Sequence, residues 1–195
     1  MDWTIVVSTF VGAFLAAGTG YLFELRREKN RLASARRLLK TAISDDLRHS
    51  LILYDKVLED WEKTQTVWFS TLNELRESRF AYQNNKDWIH VFDESELRRR
   101  IFRYYLQSGE RINSLEYQQR RKYEITARLN DIIHDIKLKD LSIKHESAVK
   151  LAVAFMEGEN REFENLLRSI PETITKLSNL KGEAKELLDS LEKVK

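Results

Sequence analysis

Three of the four histidines stand three residues after an aspartate: His49 after Asp46, His90 after Asp87 and His134 after Asp131. On a helix, carboxylate and imidazole at that spacing lie one turn apart, the arrangement by which helical bundles hold carboxylate-bridged metal centres. Such ligands must point into the bundle. Advancing about 100° per residue, His49 falls nearly opposite Leu47, Leu51 and Leu58, and His134 falls far from Leu129, Ile132 and Ile136. The pairs therefore read as solvent-face ion pairs; no metal and no cofactor is expected. The chain has no cysteine, which excludes thiolate nucleophiles, thiolate metal sites and disulfides. Glycine-rich phosphate loops, Gly-x-Ser-x-Gly elbows and His-Glu-x-x-His helices are absent as well.

Arg128 and His134 are separated by five residues, within the Arg-x-His spacing of HEPN ribonucleases, and the residue directly after the arginine, usually polar there, is Leu129. In outline the whole chain resembles membrane-anchored, HEPN-like accessory proteins of RNA-targeting CRISPR systems. The resemblance implies a helical domain in which Arg128 and His134 meet a phosphate at a dimer interface, and an RNA-directed defence role. The residues themselves point elsewhere. No titratable set converges on one helical face, so the expectation is that the protein is not an enzyme, with the Arg128–His134 pair as the alternative. Basic clusters at Arg98, Arg99, Arg100 and Arg103, and at Arg120, Arg121 and Lys122, read as solvated helix faces. A net charge of +2 from 33 basic and 31 acidic residues gives no strong nucleic-acid signal.

The elements that position these residues begin with an apolar run. From Trp3 to Phe23 the sequence carries no charge, and as a helix rising about 1.5 Å per residue it spans roughly 30 Å, the thickness of a bilayer's hydrocarbon core. Trp3 and Tyr21 mark its ends with interfacial aromatic rings. Residues 1–25 are therefore expected to be a transmembrane anchor, and 26–40 a basic juxtamembrane segment that continues as helix. Arg26, Arg27, Lys29, Arg31, Arg36 and Arg37, followed by Lys40, place the positive charge after the span, which puts the N-terminus outside and residues 41–195 in the cytoplasm, the protein being single-pass in the cell membrane. The same cations suit anionic lipid headgroups. Ser8, Gly12, Ala16 and Gly20 recur at four-residue steps, a small-residue row that lets helix backbones approach closely within a bilayer. The partners expected are membrane lipids, further copies of the chain in a homo-oligomer, and an unidentified protein.

After the anchor, glycine and proline are scarce, which favours long helices. Leu39, Ile43, Leu47, Leu51, Tyr54, Leu58, Trp61 and Trp68 follow three-and-four spacing. Asp93 is placed to cap a second long helix with Glu96 reaching back, and its stripe of Leu97, Ile101, Tyr104, Ile112, Leu115, Leu129, Ile132 and Ile136 weakens between Glu116 and Thr126. A third helix over Ile143–Glu157 is expected to close at Gly158 in a left-handed cap, Asn160 to start a short helix, and Pro171 to open the last. Between Ser78 and Asp93 the pattern predicts a compact connection, pinned by Trp88 and Phe92, joining two antiparallel helices. The fold class expected is all-α: a single transmembrane helix followed by an elongated antiparallel bundle of four or five helices, with coiled-coil-like spacing at its C-terminus. The function expected is a membrane-anchored scaffold that assembles through its anchor, with clustered anchors perturbing the bilayer.

Overall fold

The structure is a computed structural model that describes the backbone of residues 3–193 and the side chains of residues 17–193. Among the described residues there is no strand. The helices are α1 (Trp3–Thr64), α2 (Phe69–Glu77), α3 (Phe80–Asn85), a 3₁₀ helix (Lys86–Val91), α4 (Ser95–Lys139), α5 (His145–Phe155) and α6 (Glu157–Lys193).

The body closes on α6. Leu166, Ile170, Thr173, Leu177, Leu180, Ala184, Leu187 and Leu191 are all buried, and they alternate in steps of four and three, the spacing that keeps one stripe of a helix against its neighbours. That stripe packs into Leu39, Ile43, Leu47 and Tyr54 of α1 and Leu97, Ile101, Ile112 and Leu115 of α4. Each fully buried leucine or isoleucine contributes about 1.5–3 kcal/mol of apolar burial. Direction follows from the contacts. Arg48 reaches Glu192 while Asp55 pairs with Lys181, and Arg100 donates to Ser190 Oγ at 2.9 Å while Gln118 donates to Ser169 Oγ at 3.1 Å, so α6 runs antiparallel to both α1 and α4.

It follows that α1 and α4 are parallel, which corrects the expectation of two antiparallel helices around a compact connection. The connection is itself a leg of the bundle. Lys56 pairs with Glu74, Ser50 with Ser78 at 2.8 Å, the Asp46 carboxylate with the Tyr82 N–H at 3.0 Å, and the Arg36 side chain with the Val91 carbonyl at 2.8 Å. Thus α2, α3 and the 3₁₀ helix walk back down α1 before α4 climbs beside it. Beyond Ile125, α4 packs against α5 through a second small cluster built on Ile133, Ala148 and Ala152.

Several boundaries differ from the sequence reading for local reasons. α1 stops at Thr64, short of Trp68, because Gln65 takes a left-handed conformation at φ 52° with its N–H on the Trp61 carbonyl; Trp68 beyond it is 50% exposed. Asp93 does not cap α4. It is drawn instead to Arg36 at 2.6 Å, and the N-cap is Glu94 without a side-chain bond. α4 passes unbroken through its polar stretch because Gln118 and Gln119 are buried and donate to Ser169 Oγ at 3.1 Å and the Val67 carbonyl at 3.3 Å. No described glycine has positive φ, so Gly158 is not a left-handed cap; it lies in the first turn of α6. Asn160 and Pro171 are likewise inside α6, where the burial of its four-three stripe outweighs the preference of proline for a helix start.

Among the described residues no helix is long and apolar enough to cross a membrane. The anchor expectation rests on residues 3–23, and the side chains of residues 3–16 lie outside the described residues. Pro171 yields a direct test of the fold. It is exposed and removes one backbone hydrogen bond from the interior of a 37-residue helix, so Pro171→Ala is expected to raise stability by about 1–3 kcal/mol in chemical denaturation. A decrease would show that α6 needs a bend there.

Candidate functional site

Two regions combine unusual side-chain chemistry with fixed geometry: a bare basic stalk at the base of the body, and a half-buried polar cluster within it.

In the stalk, every side chain from Ala17 to Ser34 is exposed. Here Tyr21, Leu22, Phe23, Leu25 and Leu32 are open beside Arg26, Arg27, Lys29 and Arg31, and Arg31 extends over the Trp88 ring. Glu24 and Glu28 lie one turn before Arg27 and Arg31, so the stalk is charged with both signs near its foot and is basic above. Arg37 is exposed as well. Arg36 differs from the other five cations: its Nε donates to the Val91 carbonyl and its Nη2 to Asp93, so it fastens the stalk to the body. Of the small-residue row, Gly20 is exposed with open space around its Cα; Ser8, Gly12 and Ala16 lie outside the described side chains.

The polar cluster forms where α1, α3 and α4 meet. Asp46 on α1 accepts the Tyr82 backbone N–H in the first turn of α3 and faces the Tyr105 hydroxyl at 3.4 Å. Tyr82 stacks on Tyr105 with ring centroids 4.0 Å apart. Arg79 donates to the Tyr105 carbonyl at 2.5 Å, and its guanidinium covers Gly109 so closely that a Cβ there would stand 2.7 Å from Nη1. Deeper still, the Tyr54 hydroxyl bridges the Tyr104 hydroxyl and Ser108 Oγ, each at 3.1 Å.

Burial sets the protonation of this cluster. It lifts the Asp46 carboxyl above its ordinary value, against the opposing bonds from the Tyr82 and Ala81 backbone. It also raises the Tyr54, Tyr104 and Tyr105 hydroxyls and lowers the Arg79 guanidinium. The phenols therefore stay neutral at physiological pH and act as hydrogen-bonding groups. Their role is to join three helices.

The residues singled out for catalysis are not brought together. Arg128 is exposed and pairs with Glu159 on α6 at 2.5 Å. His134, six residues on along the same helix, is displaced by about 9 Å of rise and about 120° around the axis. It is exposed. Among the Asp-x-x-His pairs, Asp46 is committed to Tyr82 while His49 points to solvent, and His90 Nδ1 meets the Asp87 backbone oxygen at 2.7 Å. No group of three or more metal-ligating side chains occurs among the described residues. Arg99, Arg120 and Arg121 are held in ion pairs with Glu96, Glu116 and Glu162. Of the ten aromatics between Trp61 and Tyr105, Phe92, Tyr104 and Tyr105 are core, whereas Phe80 and Phe102 are more than half exposed.

Sequence reasoning missed Asp46, Arg79 and Gly109 as a set. Gly109 carried the one available signal, a lone glycine in the middle of a long helical stripe, which marks a close approach. No known family model matches the chain, and no curated protein or solved structure shows significant similarity to it.

The cluster predicts a pH dependence. Because the folded-state pKa of Asp46 lies above its unfolded value, the native state holds a proton that the unfolded chain has released, and this contribution to stability fades as pH rises through the folded pKa. Asp46→Asn keeps an acceptor for the Tyr82 N–H and removes the titration. Its stability relative to the parent is therefore expected to improve from about pH 4 to neutrality in denaturant titrations. Asp46→Ala leaves that N–H unpaired and should cost about 1–3 kcal/mol. If Asp46→Asn tracks the parent at every pH, burial does not perturb the carboxyl.

Proposed function

We propose that the protein is a membrane-anchored, non-enzymatic helical scaffold. Its N-terminal apolar helix spans the cell membrane once, its body lies on the cytoplasmic side, and copies associate through the row of Ser8, Gly12, Ala16 and Gly20. The observation that carries this reading is the continuity of α1: one helix runs from Trp3 to Thr64, so the uncharged stretch up to Phe23 and the buried stripe from Leu39 to Val57 belong to one rod. A rigid joint transmits the position and spacing of the anchors to the bodies above them.

Three further features support it. The stalk carries Arg26, Arg27, Lys29, Arg31 and Arg37 exposed, where retained positive charge and anionic headgroups are expected. An isolated helical stretch of this length is marginal in water, and flanking by a bilayer on one side and a packed body on the other accounts for it. The body's polar cluster is spent on joining helices.

In a bacterial host, a reporter active only outside the cytoplasm, fused after Lys195, is expected to stay silent, and the chain is expected to remain in the membrane fraction after alkaline extraction. Strong reporter activity would reverse the topology, and extraction would remove the anchor. Gly12→Leu with Gly20→Leu keeps the run apolar and long enough to insert while adding bulk to the row. Cross-linking of the full chain in membranes should fall with the double variant; equal cross-linking would place assembly elsewhere.

A further inference from the structure

Along the return leg, burial falls away after Ser78. α2 buries Thr71, Leu72 and Leu75, whereas none of residues 80–90 is buried and only Ala81, Tyr82, Asn85 and Ile89 are half-buried. α3 and the 3₁₀ helix are six residues each, and neither has a side-chain cap at its start. Helices of that length do not persist in water by themselves. Their side-chain bonds to one another are local: Asn84 and Asn85 donate to the Phe80 and Ala81 carbonyls at 2.9 and 2.8 Å, and His90 Nδ1 meets the Asp87 backbone oxygen. Both ends, by contrast, are fixed in the body. Ser78 is buried against Ser50, Arg79 is bonded to the Tyr105 carbonyl, and Phe92 is 1% exposed with its carbonyl on Arg98.

We propose that Phe80–Val91 is a strap that opens as one unit while the long helices stay packed, with Arg36 and Asp46 of α1 as its two latches. The fastenings are few, and they come from side chains of α1 and α4. Asp46 accepts the Tyr82 N–H at 3.0 Å, Arg36 Nε donates to the Val91 carbonyl at 2.8 Å, the Tyr82 ring stacks on Tyr105, and the Arg31 guanidinium stands over Trp88. A segment opens locally when the chain entropy it regains offsets the contacts it gives up and the shared core stays closed. That condition is met here. The core is built mainly from α1, α4 and α6; of the strap only Val91 is a buried member, with Tyr82 and Ile89 at the edge.

Opening has a defined consequence for α1. Asn85 and Trp88 of the strap stand across from Ala35, Leu38, Leu39 and Ala42 over a space of about 430 Å³, so along this length the two walls are parted already. With the strap released, the side of α1 from Leu39 to Asp46 is uncovered, and Arg31 loses Trp88 and Arg36 loses the Val91 carbonyl. The two latches hold opposite ends of one segment, Asp46 at Tyr82 and Arg36 at Val91. The strap therefore couples the foot of the body to the polar cluster within it.

Hydrogen exchange of the full chain in detergent, read by mass spectrometry in peptides covering 80–91, 43–57 and 101–115, tests the strap. Its peptide is expected to exchange at least about a hundredfold faster than the other two and with little dependence on dilute denaturant, the mark of an opening that exposes little surface. Arg36→Gln and Asp46→Ala should each raise its exchange about tenfold, the effect of losing one net hydrogen bond. Leu177→Ala separates local from global opening. Leu177 is fully buried on α6, beyond the Lys181–Asp55 pair and away from the strap's fastenings, so its truncation should speed the helix peptides and leave the strap's rate unchanged. Should that variant not fold, Ile174→Val, a smaller change on the same buried stripe, gives the same comparison. A strap peptide that shares the rate and denaturant slope of the helices, or that speeds up with them in the α6 variant, overturns the proposal. So does a rate indifferent to both latch variants.

Discussion

The continuity of α1 governs the molecule. An α-helix without a break is a stiff rod, and from Trp3 to Thr64 nothing interrupts the backbone ladder. Its side chains from Ala17 to Ser34 are exposed, and from Leu39 on it packs against neighbours on several sides. The return leg of α2, α3 and the 3₁₀ helix takes its course from α1 through Glu74, Ser78, Tyr82 and Val91; α6 lies along it through Asp55, Arg48 and Glu192. Because α1 fixes the return leg, it also fixes where α4 starts, and so makes α4 run parallel to itself.

Polar contacts hold this arrangement to one geometry while apolar burial supplies the drive. The stripe of α6 would pack on many helical partners. What selects this one is the hydroxyl bridge from Tyr54 to Tyr104 and Ser108, the Asp46 carboxylate at the first turn of α3, and Arg79 closing over Gly109. These groups lie in a medium of lowered dielectric, where a satisfied hydrogen bond is strong and an orphan is costly. Burial keeps these tyrosines neutral, and Arg79 is bonded to the Tyr105 backbone carbonyl.

The functional proposal has one physical basis, a rigid helix with apolar, then basic, then core-forming residues in succession. Such a gradient matches the dielectric profile from hydrocarbon through headgroups to water. The return leg carries Trp88 back against α1, where the Arg31 guanidinium lies over its ring.

Much of this was legible from residue order alone. The uncharged run to Phe23, the basic residues after it, the stripe from Leu39 to Leu58 and the scarcity of glycine determine an all-helical chain with an apolar start, since helical periodicity and hydropathy are local properties. The exposure of His49 and the break in pattern between Ser78 and Asp93 are of the same kind. Tertiary structure alone decided the rest. That Pro171 lies within a helix, that Gln65 ends one with a left-handed residue, that Gln118 and Gln119 are buried, and that α1 and α4 are parallel all depend on partners distant in sequence. In each case a local preference of about 1–3 kcal/mol yields to burial summed over a whole interface. Asp46 and Arg79 could not be recognised beforehand for the same reason: a carboxylate or guanidinium at a polar position looks solvated until the fold brings Tyr82, Tyr105 and the bare backbone of Gly109 against it.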